Sequence, residues 1–197
     1  FAVTYAAFDS AGNVTKVRRN MRYVDYESPR FTLSAPLLYP YGREMNFVDR
    51  IKAIDLIDGN ISHRIKFTVI SEGTITNEGI HEVLFRVTNS YGDTSELIIP
   101  AEIYPLGEYN AELLLTDYLV YIPAGESFNP NAYLQYFKYD DTSVILGDTL
   151  PPAYRLTTRG NVNTSVPGVY PVSYTLAYTV DNYTFTAYSK LIVIVEG

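Results

Sequence analysis

The chain has 197 residues, 47% of them apolar, which is enough to build real cores for one or two domains. It has no Cys, which excludes disulfide staples and zinc–thiolate sites, and its net charge of −7 argues against nucleic acid as a partner, since phosphate binding needs clustered Lys and Arg. No window reaches the run of roughly 18 apolar residues that a membrane helix requires, and the longest apolar run, 191–195, is strand-sized.

Residues 1–25 predict the last two strands of a domain. Val3, Tyr5 and Ala7 alternate with polar or small residues, the period of a half-buried strand. Asp9-Ser-Ala-Gly-Asn13 is a turn by its chemistry, and 14–24 returns as the partner strand. Its basic cluster, Lys16, Arg18, Arg19 and Arg22, reads as a solvated strand face. Two strands alone are marginal in water, so this hairpin has to pack on something: upstream strands, the next domain or another chain. A Pro-marked linker, 25–29, leads into a complete unit. Strands are predicted at 30–35, 48–53, 65–70, 81–89 and 95–104, with a kink at Pro36 and Pro40. Turn signals about every eight to twelve residues are the spacing of an all-β sandwich. After a second short linker, 105–108, the last unit opens with a strand at 113–122. A helical turn or strand follows at 130–137, then a stretch at 144–154 broken by Gly147, Pro151 and Pro152, and a final hairpin at 170–179 and 183–195.

The hairpin is written three times. Val3, Val83 and Val172 fall in register, as do Tyr5, Phe85 and Tyr174, and Ala7, Val87 and Leu176. Repetition at a spacing of about 80 to 90 residues is the mark of an array of small β domains. Gly79 and Gly168 stand four residues before the shared Val, whereas the first copy would need its Gly just before Phe1. The chain is therefore expected to be a piece of a longer polypeptide. The expected organisation is 1–26 as the closing hairpin of a truncated domain, 27–106 as a complete sandwich and 107–197 as a second, more divergent one. Short linkers predict an elongated, semi-rigid arrangement.

The string Val3-Thr-Tyr-Ala-Ala-Phe-Asp-Ser-Ala-Gly-Asn13 resembles the closing hairpin of bacterial immunoglobulin-like surface repeats. Ile51-Lys-Ala-Ile-Asp-Leu-Ile-Asp-Gly-Asn-Ile-Ser62 is similar to a second element of those repeats. The resemblance covers 1–104; the last unit shares only Gly168-Val-Tyr-Pro-Val-Ser-Tyr174 and lacks the Asp-Gly loop. It implies tandem immunoglobulin-like β-sandwiches, and a stalk or adhesion module on a bacterial exterior or its counterpart on a phage virion. Some surface-fibre sandwiches carry a Lys–Asn cross-link, but Lys190 has no Asn beyond Asn182 to pair with in its final strand.

Residues for catalysis are sparse. The two histidines, His63 and His81, lie in no metalloprotease signature, and no nucleophile elbow or phosphate loop occurs. The chain is expected not to be an enzyme and to need no cofactor. The calcium candidate is Asp55, Asp58 and Asn60, oxygen ligands around Gly59; the alternative is a turn whose side chains bond backbone amides. Asp140, Asp141 and Asp148 form a second acidic group. Of 19 tyrosines, Tyr133, Tyr136 and Tyr139 form the aromatic candidate for a protein partner or a sugar, against the alternative that they fill strand positions in a Trp-free sandwich. A closing-hairpin tyrosine in each unit is a second possibility, as a corner residue tying a loop to the sandwich. The expected role is a non-catalytic stalk on a bacterial cell surface, contacting neighbouring domains, copies of itself or surface glycan, with neither nucleic acid nor membrane insertion. The alternatives are a phage virion protein and a carbohydrate-binding accessory module of a secreted enzyme.

Overall fold

Residues 2–21, 24–71, 75–147 and 149–197 are described by a computed structural model. Phe1, Arg22 and Asp148, named above, lie outside the described residues.

Among the described residues the first two strands, β1 (Ala2–Phe8) and β2 (Val14–Asn20), form a two-stranded sheet of their own. The next seven are β3 (Arg30–Leu33), β4 (Leu38–Pro40), β5 (Ile51–Asp55), β6 (Gly59–Asn60), β7 (Lys66–Val69), β8 (Gly79–Thr88) and β9 (Thr94–Tyr104). They form a three-stranded sheet, β3-β5-β6, and a four-stranded sheet, β4-β9-β8-β7. The last seven are β10 (Glu112–Leu115), β11 (Leu119–Pro123), β12 (Leu134–Tyr139), β13 (Thr142–Ile145), β14 (Tyr154–Arg159), β15 (Gly168–Val180) and β16 (Tyr183–Glu196). They repeat the same plan: β10-β12-β13 against β11-β16-β15-β14. In both sets the leading segment crosses between layers. β3 pairs antiparallel with β5 and β4 pairs parallel with β9; β10 and β11 do likewise with β12 and β16. This crossing divides the strand expected at 113–122 into β10 and β11. The stretch expected as helical turn or strand is both, a 3-10 helix at Pro130–Tyr133 and then β12.

Each set closes on its own apolar layer, as a two-layer sandwich does. Phe31, Leu33, Ile51 and Ala53 from one sheet meet Val83, Phe85, Val87, Leu97 and Ile99 from the other. In the second set Leu113, Leu115 and Phe137 meet Val172, Tyr174, Leu176, Leu191 and Val193. The three aligned hairpin triplets therefore share a strand position, and two of the three lie in a core.

The turns explain the hairpin registers. Asp9 Oδ1 accepts the Ala11 and Asn13 N–H groups at 2.9 and 2.8 Å, and Asn89 Oδ1 does the same for Tyr91 and Asp93 at 2.9 and 3.0 Å. Gly12 and Gly92 sit at the same place in these loops with φ of +82° and +85°, a conformation costly for any residue with a Cβ. The third turn is shorter: Asp181 and Asn182 both adopt positive φ between the paired Val180 and Tyr183, the two-residue hairpin geometry.

Candidate functional site

The two sandwiches meet along the sides of their strands. On β16, Leu191, Val193 and Val195 face their own core, so Ile192 and Ile194 face outward. Paired with them on the parallel β11 are Leu119 and Tyr121. All four pack against the first core, and Ile192 is only 3% exposed. At one end of the contact the Arg30 guanidinium meets Glu196 at 2.7 Å and stacks over the Tyr121 ring at 4.7 Å, while the Tyr121 hydroxyl accepts the Phe31 N–H at 3.0 Å. At the other end the Lys190 ammonium, nearly buried, pairs with the Glu102 carboxylate. The Tyr188 hydroxyl donates to the same Glu102 oxygen at 2.9 Å and lies 3.0 Å from Ser173 Oγ. Burial and the adjoining Glu102 carboxylate push the Tyr188 hydroxyl up to about 12, with the Ser173 bond opposing them. Tyr109 stacks on Tyr188 at 5.3 Å and touches Tyr104 edge-on at 5.1 Å, so the linker between the sandwiches is held by the same group. The contact between these two sandwiches is made by the outward-facing residues of β11 and β16 packed against the first core. Two open grooves of about 550 and 400 Å3 flank it, the second floored by Ile98, Pro100 and Pro171 with Lys190 and Arg159 at its edge.

The sequence candidates are distributed differently. Asp55 is 2% exposed. Its Oδ1 accepts the Ile57 and Asp58 N–H groups at 2.9 and 2.8 Å, and its Oδ2 accepts Asn89 Nδ2 at 3.2 Å. Tyr26, from the segment that follows β2, enters this cluster: its hydroxyl donates to Asp93 at 2.7 Å and accepts from Asn89 Nδ2 at 2.7 Å. Burial pushes the Asp55 carboxyl up, but the bonds from Asp58, Asn89, Ile57 and Tyr26 outweigh it and hold the carboxyl below its ordinary value. Asp58 turns to other partners, the Ser90 hydroxyl and N–H at 2.7 Å each and Arg64 at 2.6 Å, which lower its carboxyl as well. Asn60 bonds Ser62. The three calcium candidates thus share a loop but aim at different groups, and each spends its oxygens on the protein's own donors. Among the described residues no group of three or more His, Asp or Glu is placed to hold a metal ion.

Tyr133, Tyr136 and Tyr139 do not form one surface. Tyr133 stacks on Phe128 at 5.8 Å and Tyr139 packs on Phe185 at 4.6 Å, both against the second core, while Tyr136 lies outside that cluster. Tyr174 is the corner residue: fully buried, it donates its hydroxyl to the Pro130 carbonyl at 3.0 Å. Its counterpart Phe85 has no hydroxyl to offer. His81 is buried on β8 with Nε2 2.8 Å from the Asn77 carbonyl, and His63 sits in the 3-10 helix Ser62–Arg64. The lateral contact was missed in the sequence, although it left a signal. The run 191–195 is apolar without alternation, as in a strand covered on both faces.

Among the described residues no helix is long and apolar enough to cross a membrane. No family model matches the chain. Over 122 residues, 62% of its length, it is 30% identical to the pesticidal crystal protein Cry22Aa of Bacillus thuringiensis. It spans 16% of that protein. Solved structures similar to it include the protocadherin gamma B2 extracellular cadherin domains 1–5, at 10% identity and a TM-score of 0.29, covering 100% of this chain and 46% of that one. Another is the CBM51-2 domain in complex with GlcNAc and INT domains from Clostridium perfringens ZmpB, at 15% identity and a TM-score of 0.36, covering 86% of this chain and 44% of that one.

Proposed function

We propose that this chain is a non-catalytic structural and adhesion module, a semi-rigid element of immunoglobulin-like sandwiches displayed on a bacterial cell surface. Its division is 1–26, the end of one sandwich, then 27–106 and 107–197. The observation that carries the reading is the lateral contact. A nearly buried Lys190–Glu102 pair, the Tyr188 and Tyr109 rings, and Leu119 and Ile192 seated against a neighbouring core fix one sandwich on the next. A module whose task is to hold other parts at a set distance and angle needs such a joint. The polar clusters support the same reading, since Asp55, Asp58 and Asn60 serve loop geometry rather than converging on an open site. The match to a sixth of a much longer bacterial protein fits a module that recurs inside larger chains.

Spin labels at Thr68 and Thr157, both exposed positions on different sandwiches, test the reading by the distance between them. One narrow distribution is expected. A broad distribution would remove the semi-rigid element, and retention of the chain on immobilised polysaccharide would favour a carbohydrate-binding module instead.

A further inference from the structure

Strand β7 ends the four-stranded sheet of the first sandwich, and its far side pairs with no strand among the described residues. Opposed residues of an antiparallel pair share a face, so two rows of side chains cross the sheet and stop at β7. The inner row is Phe67, Phe85 and Leu97. Phe85 is 0% exposed, but Phe67 is 46% exposed although its ring touches those of Phe47 and Phe85 at 5.2 and 6.3 Å. The outer row is Lys66, Arg86 and Glu96. Arg86 pairs with Glu96 at 2.5 Å. Lys66 has the like charge of Arg86 opposite it, a destabilising arrangement, and no ion-pair partner among the described residues. A groove of about 800 Å3 beside this row gathers Arg64, Lys66 and Arg86 against one carboxylate, Glu96. Asp58 holds Arg64, so Lys66 is the one of these three left over. The second sandwich ends its sheet differently. Opposite Tyr174, the counterpart of Phe85, β14 places Thr158, so no phenyl ring is left at that rim.

We infer that the open side of β7 takes up an extended segment of a partner protein, with a carboxylate beside Lys66 and apolar side chains beside Phe67 and Val69. The inference rests on the adhesion half of the module reading and names what the module grips. An added strand lies about 4.8 Å from β7 and extends both rows by one place. The outer row then reads carboxylate, Lys66, Arg86, Glu96, with each cation next to an acid. The inner row reads apolar, Phe67, Phe85, Leu97, with the exposed ring covered. Main-chain bonds hold the segment, and the two rows select a strand that alternates apolar residues with polar ones, acidic at the Lys66 position. Charge disfavours a second copy as the occupant. Its β7 brings another Lys66, its β14 brings Arg155 and Arg159, and its β10 already sets Glu112 opposite Lys138.

The test is a titration of the 197-residue chain with the capped peptide Thr-Val-Glu-Val-Thr-Val-Glu-Val-Thr, followed by NMR of the backbone amides. Saturable shifts centred on β7 are expected, with slower amide exchange there. The same peptide with Lys in place of both Glu should bind at least about tenfold more weakly. Lys66→Glu should reverse that preference, a rescue that a purely structural role for Lys66 does not produce, and Lys66 is exposed, so the variant leaves the core untouched. Phe67→Ser should weaken both peptides several-fold, with a thermal melt to establish that the sandwich is folded. Unmoved β7 amides in the presence of the Glu peptide, or equal binding of the two peptides, would overturn the inference. Shifts of β7 that grow on concentrating the protein alone would overturn it in favour of a second copy. Failure of the module reading shows separately, as a broad Thr68–Thr157 distribution recorded without peptide.

Discussion

Two buried polar side chains hold loops to the sandwiches, and both are open to single-residue tests. The Tyr174 hydroxyl reaches from the floor of the second core to the Pro130 carbonyl, tying the 3-10 helix to the four-stranded sheet. Tyr174→Phe keeps the ring and strands that carbonyl, so urea unfolding should show a loss of about 1 kcal/mol with an unchanged slope. Asp55 is the sharper case. Its carboxylate takes two loop N–H groups on one oxygen and Asn89 on the other. In Asp55→Asn a donor faces donors, and the expected cost is about 2 kcal/mol, in the range for hydrogen bonds to a charged group. The pH dependence has a definite sign. The folded state holds this carboxyl below its ordinary 3.8, so it binds fewer protons than the unfolded chain. The stability it lends is complete above about pH 4 and is lost as the pH falls through the lower folded-state value. Thermal melts from pH 6 to 2 should show this acid limb in the native chain, and a shallower one in Asp55→Asn. The identity of this anchor was half legible. Asp-x-x-Asp-Gly announced a polar loop, but its partners Tyr26 and Asn89 are separated from Asp55 by 29 and 34 residues and belong to no local pattern.

At the scale of strands, the closing hairpins were the most readable part of the chain, because local turn chemistry and a period of two agree there. β14 was missed: its residues Arg155, Thr157, Thr158 and Arg159 are polar, as an edge strand's tend to be, so the alternation is faint. The joint between sandwiches was harder still, since each of its residues looks like ordinary strand material. Its polar end makes a clear prediction. Glu102→Gln leaves the Lys190 charge buried without its counter-charge and should cost about 3 kcal/mol, whereas replacing both by apolar residues, Lys190→Met with Glu102→Leu, should fall within about 1 kcal/mol of the native chain. Chemical denaturation of the two variants side by side measures the contrast. Tyr188 adds an alkaline limb. Its hydroxyl is pushed up to about 12, so the fold favours the protonated form. The stability this lends is present below about pH 10 and drains away as the pH climbs through 12. The Thr68–Thr157 distance distribution should therefore broaden in that interval, and Tyr188→Phe should remove that part of the broadening.

For the whole molecule, the question is whether two sandwiches make one cooperative unit. Each has its own apolar layer and its own pair of sheets, which favours independent unfolding. Against this, Leu119 and Ile192 belong to strands of the second sandwich but are buried with the core of the first. Burying a side chain of this size contributes about 1.5 to 3 kcal/mol, so the two together, with the Lys190–Glu102 pair and the Tyr109–Tyr188 stack, supply coupling comparable to a sizeable part of a small domain's stability. Coupling of that size should merge the two melts. Calorimetry of the native chain is expected to give one transition for the 14 strands β3 to β16, with equal calorimetric and van't Hoff enthalpies. Ile192→Asp places a charge in the middle of the contact while leaving Leu191 and Val193 in their own core. It should split the melt into two transitions, the first sandwich and the second, and broaden the interspin distance at the same time. Two transitions already present in the native chain would mean that the joint positions the sandwiches without sharing their stability, and the rigid element would then be the single sandwich rather than the pair.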